Sequence, residues 1–532
     1  MDTTLRDGEQ TSGVAFSASE KLAIARKLIE QVKVDRIEIA SAHVSEGEFE
    51  CVKRVCEWAA HKGCLNKIEV LGFCDNGKST AWICEAGAKV INLLTKGSER
   101  HCRGQLGLTP QQHIDSVVEN IRLAKRAGLR VNVYLEDWSN GIKDNPQYVF
   151  DMVDKALLQF TKAQADEASA ALGTTDECSE ACVDRIMLPD TLGILSPEET
   201  KKYVGMMVER YPHVHFDFHA HNDYDLAVAN VLAAVEAGAR GVHVTVNGLG
   251  ERAGNASLSS VVAVLNDMGG DGLSIDESTI GDISRMVESY SGMATASNAP
   301  VVGNNAFTQT AGVHADGDKK GSLYVNRLLP ERFGRSREYA LGKMSGKANI
   351  EQNLKLLGIE LNDDDMRKVT KRINELGDKK ETVTVDDLPF IVSDVLHHNA
   401  PSDNIHLLSY MVSTAYGLHP QACVKLEING EEYEESATGD GMYDAFVRAI
   451  RHIYRNKLGR TFPWLTDYRV TIPPGGRTDA LVQTAISWEY EGKVYRTRGL
   501  DADQTEAAIK ATIKMLNLIE KEYETEHCST GR

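Results

Sequence analysis

Two histidines that end one short apolar run are the clearest candidate metal ligands in the sequence. His219 and His221 lie within the run His215–Asp223, and residues two apart in a β-strand point to the same side. Neutral imidazole is the commonest metal-binding side chain in proteins, so both rings could bind one divalent cation at the strand's C-terminal tip. Two polar residues that leave a strand without any ligand remain the alternative.

A carboxylate and an amide from distant parts of the chain extend this candidate set. Asp7 follows the first candidate strand, and Asn255 closes the glycine-rich segment Asn247–Asn255. Two ring nitrogens, one carboxylate and one amide oxygen leave room for substrate oxygens, as a Lewis acid that polarises a carbonyl requires. The set suits Mg²⁺, Mn²⁺ or Zn²⁺ and does not choose among them.

Further polar residues beside these ligands could take part in chemistry. Arg6 could stabilise an oxyanion on a substrate, or it could only form an ion pair. Thr191 could donate to a substrate carboxylate, or it could cap the helix that follows. Glu136 could act as a general base if it is buried, with a structural hydrogen bond as the alternative. His314 is a second candidate acid–base group, or a plain surface histidine.

Eight short runs rich in β-branched residues alternate with helical patterns over the first 270 residues or so. This alternation predicts a (β/α)8 TIM barrel. A doubly wound sheet is the alternative, but no Gly-x-Gly-x-x-Gly follows the first run. The candidate strands are Met1–Leu5, Val34–Ala40, Lys67–Phe73, Lys89–Leu94, Arg130–Leu135, Val183–Leu188, Val214–His219 and Gly241–Val246.

The barrel prediction places the candidate residues at one rim. Active sites of TIM barrels lie at the C-terminal ends of the strands. Asp7, Glu136, Thr191, His219 and Asn255 each follow or end a candidate strand. We therefore expect their side chains to meet around a single cavity.

The chain is too long for one ordinary domain, at 532 residues. We expect the barrel over residues 1–274, a mostly helical subdomain over 275–398 and an α+β domain over 404–532. The last part shows a weak repeat in which strands precede a helix twice, which is typical of a pseudo-symmetric module for regulation or dimerisation.

Two segments depart from these regular patterns. Thr161–Cys182 is rich in Ala, Glu, Asp and Thr, and we expect a surface insertion on the barrel face away from the active site. A loop is expected around Asn304–Leu323, where glycines and basic residues suit an anionic ligand. A polar surface loop without a ligand is the alternative.

Composition excludes several classes of protein. The formal charge of −18 argues against a general nucleic-acid or membrane-surface binder, and the 42% hydrophobic and 26% charged contents are typical of a globular protein. We see neither a signal peptide nor a membrane span. The 10 cysteines are scattered without a CxxC pair, which favours reduced thiols and a cytoplasmic location.

Three motifs, taken in order, resemble one known family. Asp2–Gln10, His219–Asp223 and Gly248–Asn255 are similar to the acyl-CoA condensing enzymes of the TIM-barrel metallolyase superfamily. That family includes 2-isopropylmalate, homocitrate and citramalate synthases. The resemblance covers nearly the whole chain and implies condensation of acetyl-CoA with a small 2-oxo acid. Stretches such as Val133–Gly141 and Gly312–Tyr324 resemble its citramalate-forming branch, which implies pyruvate as the 2-oxo acid.

The resemblance also implies roles for individual residues. It implies that the metal is bound by Asp7, His219, His221 and Asn255, and that Arg6 and Thr191 hold the 2-oxo acid. Catalytic roles are implied for Arg6, Glu136, His314 and Tyr324. Contacts to acetyl-CoA are implied for His314, Asp316, Leu323 and Tyr324. In the C-terminal module, which resembles an amino-acid-sensing domain of a homodimer, Tyr443 and Asp444 match positions for a feedback amino acid, isoleucine in that branch.

Substrate choice should depend on an apolar pocket. Leu71, Leu94 and Tyr134 are expected to line it, with room for the methyl of pyruvate but little for an isopropyl group. Each added methylene changes binding by roughly 1–3 kcal/mol, so such a pocket discriminates without being absolute. The alternatives are a 2-isopropylmalate synthase acting on 2-oxoisovalerate, a metal-dependent lyase running in reverse, and a non-catalytic amino-acid sensor. His43 and Ser322 depart from the residues expected in close relatives.

Overall fold

The computed structural model of the chain describes residues 1–157, 183–270, 272–310, 312–321, 323–342, 345–356, 359–378, 388–396, 404–471, 482–501 and 503–528. These residues form two units. The first comprises Met1–Gln309 and Ser322–Glu338, and the second comprises Thr310–Gly321 and Tyr339–Arg532. The expected insertion at Thr161–Cys182 lies outside the described residues. The domain boundaries at residues 274, 398 and 404 stay predictions.

Seven strands of the first unit form one parallel sheet in sequence order. Each one matches an expected strand to within a few residues, because buried parallel strands are short apolar runs that few other elements resemble. They are β1 (Ile37–Ser41), β2 (Ile68–Phe73), β3 (Val90–Lys96), β4 (Arg130–Glu136), β5 (Val183–Asp190), β6 (Phe216–Ala220) and β7 (Gly241–His243).

The N-terminal residues close this sheet into a barrel. Asp2 forms parallel bridges to Val244 beyond β7 and to Ile37 in β1. The Thr3 amide donates to the Val244 carbonyl at 2.8 Å, and the Glu38 amide donates to the Asp2 carbonyl at 2.9 Å. The first unit is therefore a TIM barrel, which confirms the predicted fold class.

The first barrel strand is shorter than the expected Met1–Leu5. The Thr3 carbonyl accepts hydrogen bonds from the amides of Arg6, Asp7 and Gly8, so the chain turns immediately after the bridge. The Thr4 amide donates to Asp2 Oδ1 at 2.9 Å and holds the start of this turn. As a result, Arg6 and Asp7 lie on a tight turn at the rim.

Helices follow the strands and cover the outside of the barrel. Capping boxes begin three of them, at Ser17, Thr109 and Ser196, where each cap bonds reciprocally with the residue three positions on. The helices are α1 (Ala18–Lys27), α2 (Glu46–His61), α3 (Lys78–Glu85), α4 (Glu99–Gly104), α5 (Pro110–Arg126), α6 (Trp138–Asp144), α7 (Pro146–Met152), α8 (Pro197–Arg210), α9 (Ala227–Glu236), α10 (Leu258–Met268) and α11 (Ile280–Ser291).

The inside of the barrel below the rim is polar, which the sequence did not lead us to expect. Asn92 donates to Glu38 Oε1 at 2.7 Å, and Asn132 donates to Asn92 Oδ1 at 2.7 Å. Glu69 and Asp217 belong to the same fully buried layer. Buried polar groups are stable when their hydrogen bonds are satisfied, and such a network holds side chains rigidly.

Short strands and helices follow the barrel. Strands β8 (Thr308–Gln309) and β9 (Glu338–Tyr339) flank α12 (Gly312–Gly321), and the later helices are α13 (Lys347–Leu356), α14 (Asp363–Asp378) and α15 (Leu388–Leu396). The loop expected around Asn304–Leu323 was wrong in part, because α12 occupies its second half. Three glycines within the stretch lower its intrinsic helix propensity and hid the helix from sequence reasoning.

The C-terminal part of the second unit contains the expected repeat. Each half is a three-stranded antiparallel sheet followed by one helix, and the two halves share a hydrophobic core around Phe446 and Trp488. The first half comprises β10 (Ile405–Ser413), β11 (Gln421–Ile428), β12 (Glu431–Thr438) and α16 (Met442–His452); the second comprises β13 (Trp464–Thr471), β14 (Val482–Tyr490), β15 (Lys493–Asp501) and α17 (Gln504–Cys528). No described helix has an apolar stretch long enough to span a bilayer.

Candidate functional site

A carboxylate and two imidazoles meet at the rim of the barrel. Asp7 Oδ2 lies 3.1 Å from His219 Nε2 and 3.8 Å from His221 Nε2. The three side chains are buried, and one ligand atom from each lies within 4.8 Å of the others. His219 belongs to β6 and His221 follows it, whereas the Thr3 turn supplies Asp7. Elements far apart in sequence thus bring together three of the four expected metal ligands.

Asn255 joins this group through its amide. Its Nδ2 donates to Asp7 Oδ2 at 3.1 Å and to the Leu249 carbonyl at 3.0 Å. Its backbone forms an antiparallel bridge with His221. The segment needs glycine because a Cβ on Gly254, at a φ of +85°, would lie 1.9 Å from the Gly248 carbonyl oxygen. This tight loop delivers the amide beside the carboxylate.

The four side chains have the donor atoms that a divalent cation requires. Asn255 Oδ1 and His221 Nδ1 are buried and have no hydrogen-bond partner among the described residues. Buried polar atoms usually have hydrogen-bond partners, and a bound cation would satisfy the Asn255 oxygen. One carboxylate, two imidazoles and one amide oxygen match the chemistry of a mixed nitrogen and oxygen metal site.

The electrostatics of the cluster also suit a cation. Burial raises the pKa of the Asp7 carboxyl, but the Arg6 guanidinium and the two imidazoles outweigh burial and hold that pKa well below its usual range. Burial lowers the pKa of His221 to about 4, so its ring is neutral at pH 7. An ionised carboxylate and a neutral imidazole are the forms that bind metals.

Arg6 is held rigidly beside Asp7. Its Nε donates to Glu38 Oε2 at 2.6 Å, and its second terminal nitrogen donates to the Tyr134 hydroxyl at 3.3 Å. Its other terminal nitrogen lies 3.3 Å from Asp7 Oδ1. The ion pairs that we considered as an alternative role are therefore present, and they fix the guanidinium where an oxyanion next to Asp7 would need it.

A small apolar cluster of side chains lies against this polar group. Leu71 and Tyr134, expected to line the substrate pocket, are 4% and 3% exposed and pack with Met187, which is fully buried. Leu94 packs against the same cluster. The Tyr134 ring meets the His219 ring edge-on, with centroids 6.2 Å apart. The three expected pocket residues are thus brought together next to a candidate metal ligand.

Sequence reasoning missed Met187. It lies opposite Tyr134 in the register of β5 and β4, as Tyr134 lies opposite Leu94 in β4 and β3. Residues in register on parallel strands point to the same face of the sheet. Placing β5 in register with β4 would have revealed that this side chain points into the barrel.

Glu136 and Thr191 stand at neighbouring strand ends, with contacts that differ from expectation. The Glu136 side chain is 25% exposed and forms an ion pair with Lys96, and its role as a general base stays a prediction. Thr191 Oγ1 accepts a hydrogen bond from the Asp137 amide at 2.9 Å and does not cap a helix, because Ser196 caps α8. Lys96 was not predicted, since a lysine that ends a strand is usually a solvated residue.

The residues expected to contact acetyl-CoA are divided between the two units. Leu323 and Tyr324 belong to the first unit and are 71% and 46% exposed. His314 and Asp316 lie on α12 in the second unit, and His314 is half-buried. The involvement of these four residues stays a prediction.

The two expected regulatory residues begin α16. The Tyr443 hydroxyl lies 2.6 Å from Thr512 Oγ1 on α17, and its ring centroid lies 5.3 Å from that of Tyr468 on β13. Asp444 Oδ2 accepts from the Asp440 amide at 2.9 Å and pairs with Arg448 at 2.9 Å. Tyr443 therefore connects the two halves of the C-terminal repeat.

Three protein families match successive parts of the chain. A family described as HMGL-like matches residues 1–287, which is more than half of the chain. A homocitrate synthase post-HMGL domain-like family matches residues 301–381. The LeuA allosteric (dimerisation) domain matches residues 382–520.

Named relatives cover the chain almost completely. A protein of Methanopyrus kandleri named "Probable 2-isopropylmalate synthase" is 35% identical over 519 residues, which are 97% of this chain and 97% of that protein. The 2-isopropylmalate synthase of Methanocaldococcus jannaschii is 34% identical, with 98% and 94% of the two chains covered. The (R)-citramalate synthase CimA of the same organism is 31% identical, with 98% and 99% covered.

Proposed function

Because the chain belongs to the family of 2-isopropylmalate and citramalate synthases, which condense acetyl-CoA with a 2-oxo acid, we propose that its 2-oxo acid is pyruvate. The products are then (R)-citramalate and free CoA. This places the protein at the first step of a threonine-independent route to isoleucine. The observation that carries the proposal is the cluster of bulky apolar side chains beside the candidate metal ligands.

Size is the property of that cluster that favours pyruvate. Leu71, Tyr134 and Met187 belong to one cluster and are almost fully buried, and we infer that they leave room for only a small group. A methyl group needs far less room than an isopropyl group, and overpacking a closed apolar site costs about 1–3 kcal/mol. The Tyr134 hydroxyl is also tied to Arg6 and Glu38, so its ring cannot move aside easily.

The rim residues orient the 2-oxo acid. Asp7, His219, His221 and Asn255 would hold the divalent cation, which supplies Lewis-acid polarisation of the ketone when bound. The Arg6 guanidinium stabilises the negative charge that develops on the ketone oxygen. Thr191 lies at the end of β5 with a hydroxyl that can donate to the substrate carboxylate while it accepts from the Asp137 amide.

Proton transfer is assigned to a carboxylate, an imidazole and a phenol of the chain. Glu136 removes a proton from the methyl group of acetyl-CoA, and the resulting carbon forms a bond to the ketone carbon. Water then attacks the thioester carbonyl, so that the carbon–sulfur bond breaks and CoA leaves as the thiol. His314 and Tyr324 are the candidates to donate and accept protons in these later steps. Lys96 holds the Glu136 carboxylate at the end of β4.

A 2-isopropylmalate synthase that acts on 2-oxoisovalerate is the second candidate. Relatives with that name are 35% and 34% identical, and relatives named as citramalate synthases are 33% and 31% identical, so identity alone does not choose between the two substrates. The chemistry at the rim would be the same, and only the pocket would differ.

The C-terminal module supports feedback regulation and a homodimer, since it matches the LeuA allosteric (dimerisation) domain. We propose isoleucine as the effector, bound near Tyr443 and Asp444, because it is the end product of the route that citramalate enters.

Release of CoA tests the substrate directly. Initial rates are measured with a thiol reagent at matched concentrations of pyruvate and 2-oxoisovalerate, each with and without isoleucine or leucine. We expect kcat/KM for pyruvate to be higher by about 10-fold or more, and isoleucine to inhibit. A preference for 2-oxoisovalerate with inhibition by leucine would establish the second candidate instead. No release with any 2-oxo acid would favour a lyase or a non-catalytic sensor.

A further inference from the structure

A single hydroxyl group joins the two rim segments that carry Asp7 and Asn255. Thr11 follows the short 3₁₀ turn Gly8–Gln10, which begins directly after Asp7. Its Oγ1 accepts a hydrogen bond from the Gly250 amide at 2.7 Å and donates one to the Gly250 carbonyl at 3.1 Å, across 239 positions of sequence. The proposed reaction gives Thr11 no role.

Backbone hydrogen bonds hold the turn that carries Thr11. The Gln10 amide donates to the Asp7 carbonyl at 3.0 Å, and the Thr11 amide donates to the Gly8 carbonyl at 3.2 Å. A Cβ on Gly8 would lie 3.4 Å from the Leu249 Cβ, so this turn lies directly against the glycine-rich segment. The Thr11 hydroxyl therefore contacts that segment from a fixed position close to Asp7.

The bond from Gly250 fixes a peptide group that also holds Asn255. The Gly250 amide and the Leu249 carbonyl belong to the same peptide group, which is planar. The Leu249 carbonyl accepts hydrogen bonds from Thr245 Oγ1 at 2.7 Å and from Asn255 Nδ2 at 3.0 Å. Thr11 and Thr245 thus hold this peptide group from opposite ends, and its oxygen provides the acceptor for the Asn255 amide nitrogen.

This acceptor determines which way the Asn255 amide points. A carbonyl oxygen has no proton to donate, so only the nitrogen of the amide can face Leu249 favourably. The approach is close, because a Cβ on Gly250, at a φ of +155°, would lie 2.2 Å from Asn255 Nδ2. With Nδ2 held there, Oδ1 points away from Leu249, and it is the buried atom that has no partner among the described residues.

We propose that Thr11 is a positioning residue whose hydroxyl holds the peptide group between Leu249 and Gly250 and so keeps Asn255 Oδ1 available to the metal. The inference rests on the proposed function only in taking Asn255 as a metal ligand together with Asp7 and the two histidines. Partners that orient a metal ligand contribute to metal affinity without contacting the ion themselves. Thr11 acts through Asn255 in this way.

Binding of Mn²⁺ to the full-length protein, followed by electron paramagnetic resonance without substrates, tests this role. Thr11→Val keeps the shape of the side chain and removes both hydrogen bonds, so the Kd for Mn²⁺ should rise by about 3–10-fold. Thr11→Ser keeps the hydroxyl and should bind Mn²⁺ like the wild type. Ser12→Ala is the matched control, because it removes an exposed hydroxyl from the next residue and should not change the Kd.

A second comparison tests whether Thr11 acts through the Asn255 amide. Adding Thr11→Val to Asn255→Ala should not raise the Kd for Mn²⁺ further, because the effects of two residues that act through one contact are not additive. A further rise as large as the one that Thr11→Val causes alone would show that Thr11 acts by another route, and would overturn the proposal.

Folded Thr11→Val protein that binds Mn²⁺ as tightly as the wild type would also overturn the proposal, as would Thr11→Ser protein that binds as weakly as Thr11→Val. If Thr11→Val does not fold, hydrogen exchange of the wild type decides. The Gly250 amide should then exchange slowly, and exchange as fast as that of an open loop would refute the bond to Thr11. Wild-type protein that does not bind Mn²⁺ would instead contradict the metal site and the proposed function, which is a different result.

Discussion

The Asn255 amide donates a hydrogen bond to the Asp7 carboxylate at 3.1 Å, across a sequence separation of 248 residues. This bond joins the turn at the start of the barrel to the glycine-rich loop that follows its last strand. Asp7 also lies 3.1 Å from His219 Nε2, and Asn255 forms a backbone bridge with His221, so the four candidate ligands form one connected group. Within this group, Asn255 Oδ1 and His221 Nδ1 are buried and have no hydrogen-bond partner among the described residues.

Removing the charge of Asp7 should remove most of the activity. Asp7→Asn keeps the shape of the side chain but takes away the only carboxylate among the candidate ligands. We expect kcat to fall by about 10³-fold, since Lewis-acid catalysis supplies several kcal/mol. Asp151→Asn, on the exposed face of α7, is the control and should leave the rate unchanged. Asp7→Asn protein with wild-type turnover would exclude the site.

Enlarging the apolar pocket should change the substrate preference. Met187→Ala removes a fully buried wall, so that the isopropyl group of 2-oxoisovalerate can enter, and the ratio of kcat/KM for 2-oxoisovalerate to that for pyruvate should rise by about 10–100-fold. Met152→Ala is a matched control, because Met152 is equally buried but lies on α7, away from the pocket. Both variants should lose about 2–5 kcal/mol of stability. If Met187→Ala and Met152→Ala change the ratio of the two kcat/KM values equally, the side chains around Met187 do not determine the substrate preference.

Stability should decrease in weak acid because of His113. Burial lowers the pKa of His113 from 6.5 to about 4, so the unfolded chain binds a proton more readily than the folded one. The stability that the neutral His113 ring contributes is complete above pH 6.5 and is lost as the pH falls towards 4. Between pH 7.5 and 4.5, the free energy of unfolding of the wild type, measured with urea, should fall by about 2–3 kcal/mol more than that of His113→Phe.

The exposed His61 at the end of α2 provides the comparison for this effect. His61→Phe should show the same pH dependence as the wild type. If the free energy of unfolding of His113→Phe falls as much between pH 7.5 and 4.5 as that of the wild type, His113 does not cause the loss of stability in acid.

Regulation should depend on Asp444. A carboxylate at the start of α16 can pair with the ammonium group of an amino acid, and a charge-assisted hydrogen bond contributes about 1.5–3 kcal/mol. Asp444→Asn should therefore raise the isoleucine concentration for half-inhibition by about 10–100-fold without changing the uninhibited rate. Asp440→Asn removes a neighbouring carboxylate that also pairs with Arg448 and is the control. Unaltered inhibition of Asp444→Asn would place the effector elsewhere.

The sequence was sufficient to predict the site residues whose positions follow from the spacing of side chains along a strand or from the ends of strands. His219 and His221 are two residues apart on a strand, so their side chains point to the same side. Asp7 and Asn255 follow the ends of other strands, and a barrel brings these ends to one rim. Leu71, Leu94 and Tyr134 likewise alternate with outward residues on their strands. For the same reason the fold could be predicted as a barrel with an α+β module at its end.

Other site residues could not be predicted because their roles depend on register and on pairs across the barrel. The contacts of Met187 and Lys96 depend on the strands beside them, which supply Tyr134 and Glu136. The polar interior around Asn92 and Asn132 was hidden for the same reason, since each polar residue alone looks out of place in an apolar strand. The ion pair between Glu136 and Lys96 was hidden too, because the two residues end different strands.

Metal dependence of CoA release tests the central claim most directly. The full-length protein is treated with a chelator, and CoA release from acetyl-CoA and pyruvate is followed before and after addition of Mn²⁺, Mg²⁺ or Zn²⁺. We predict negligible release without metal and restoration by at least one of the three ions, only while pyruvate is present. Release that continues undiminished in the chelated protein, or that no ion and no 2-oxo acid can restore, would contradict the account.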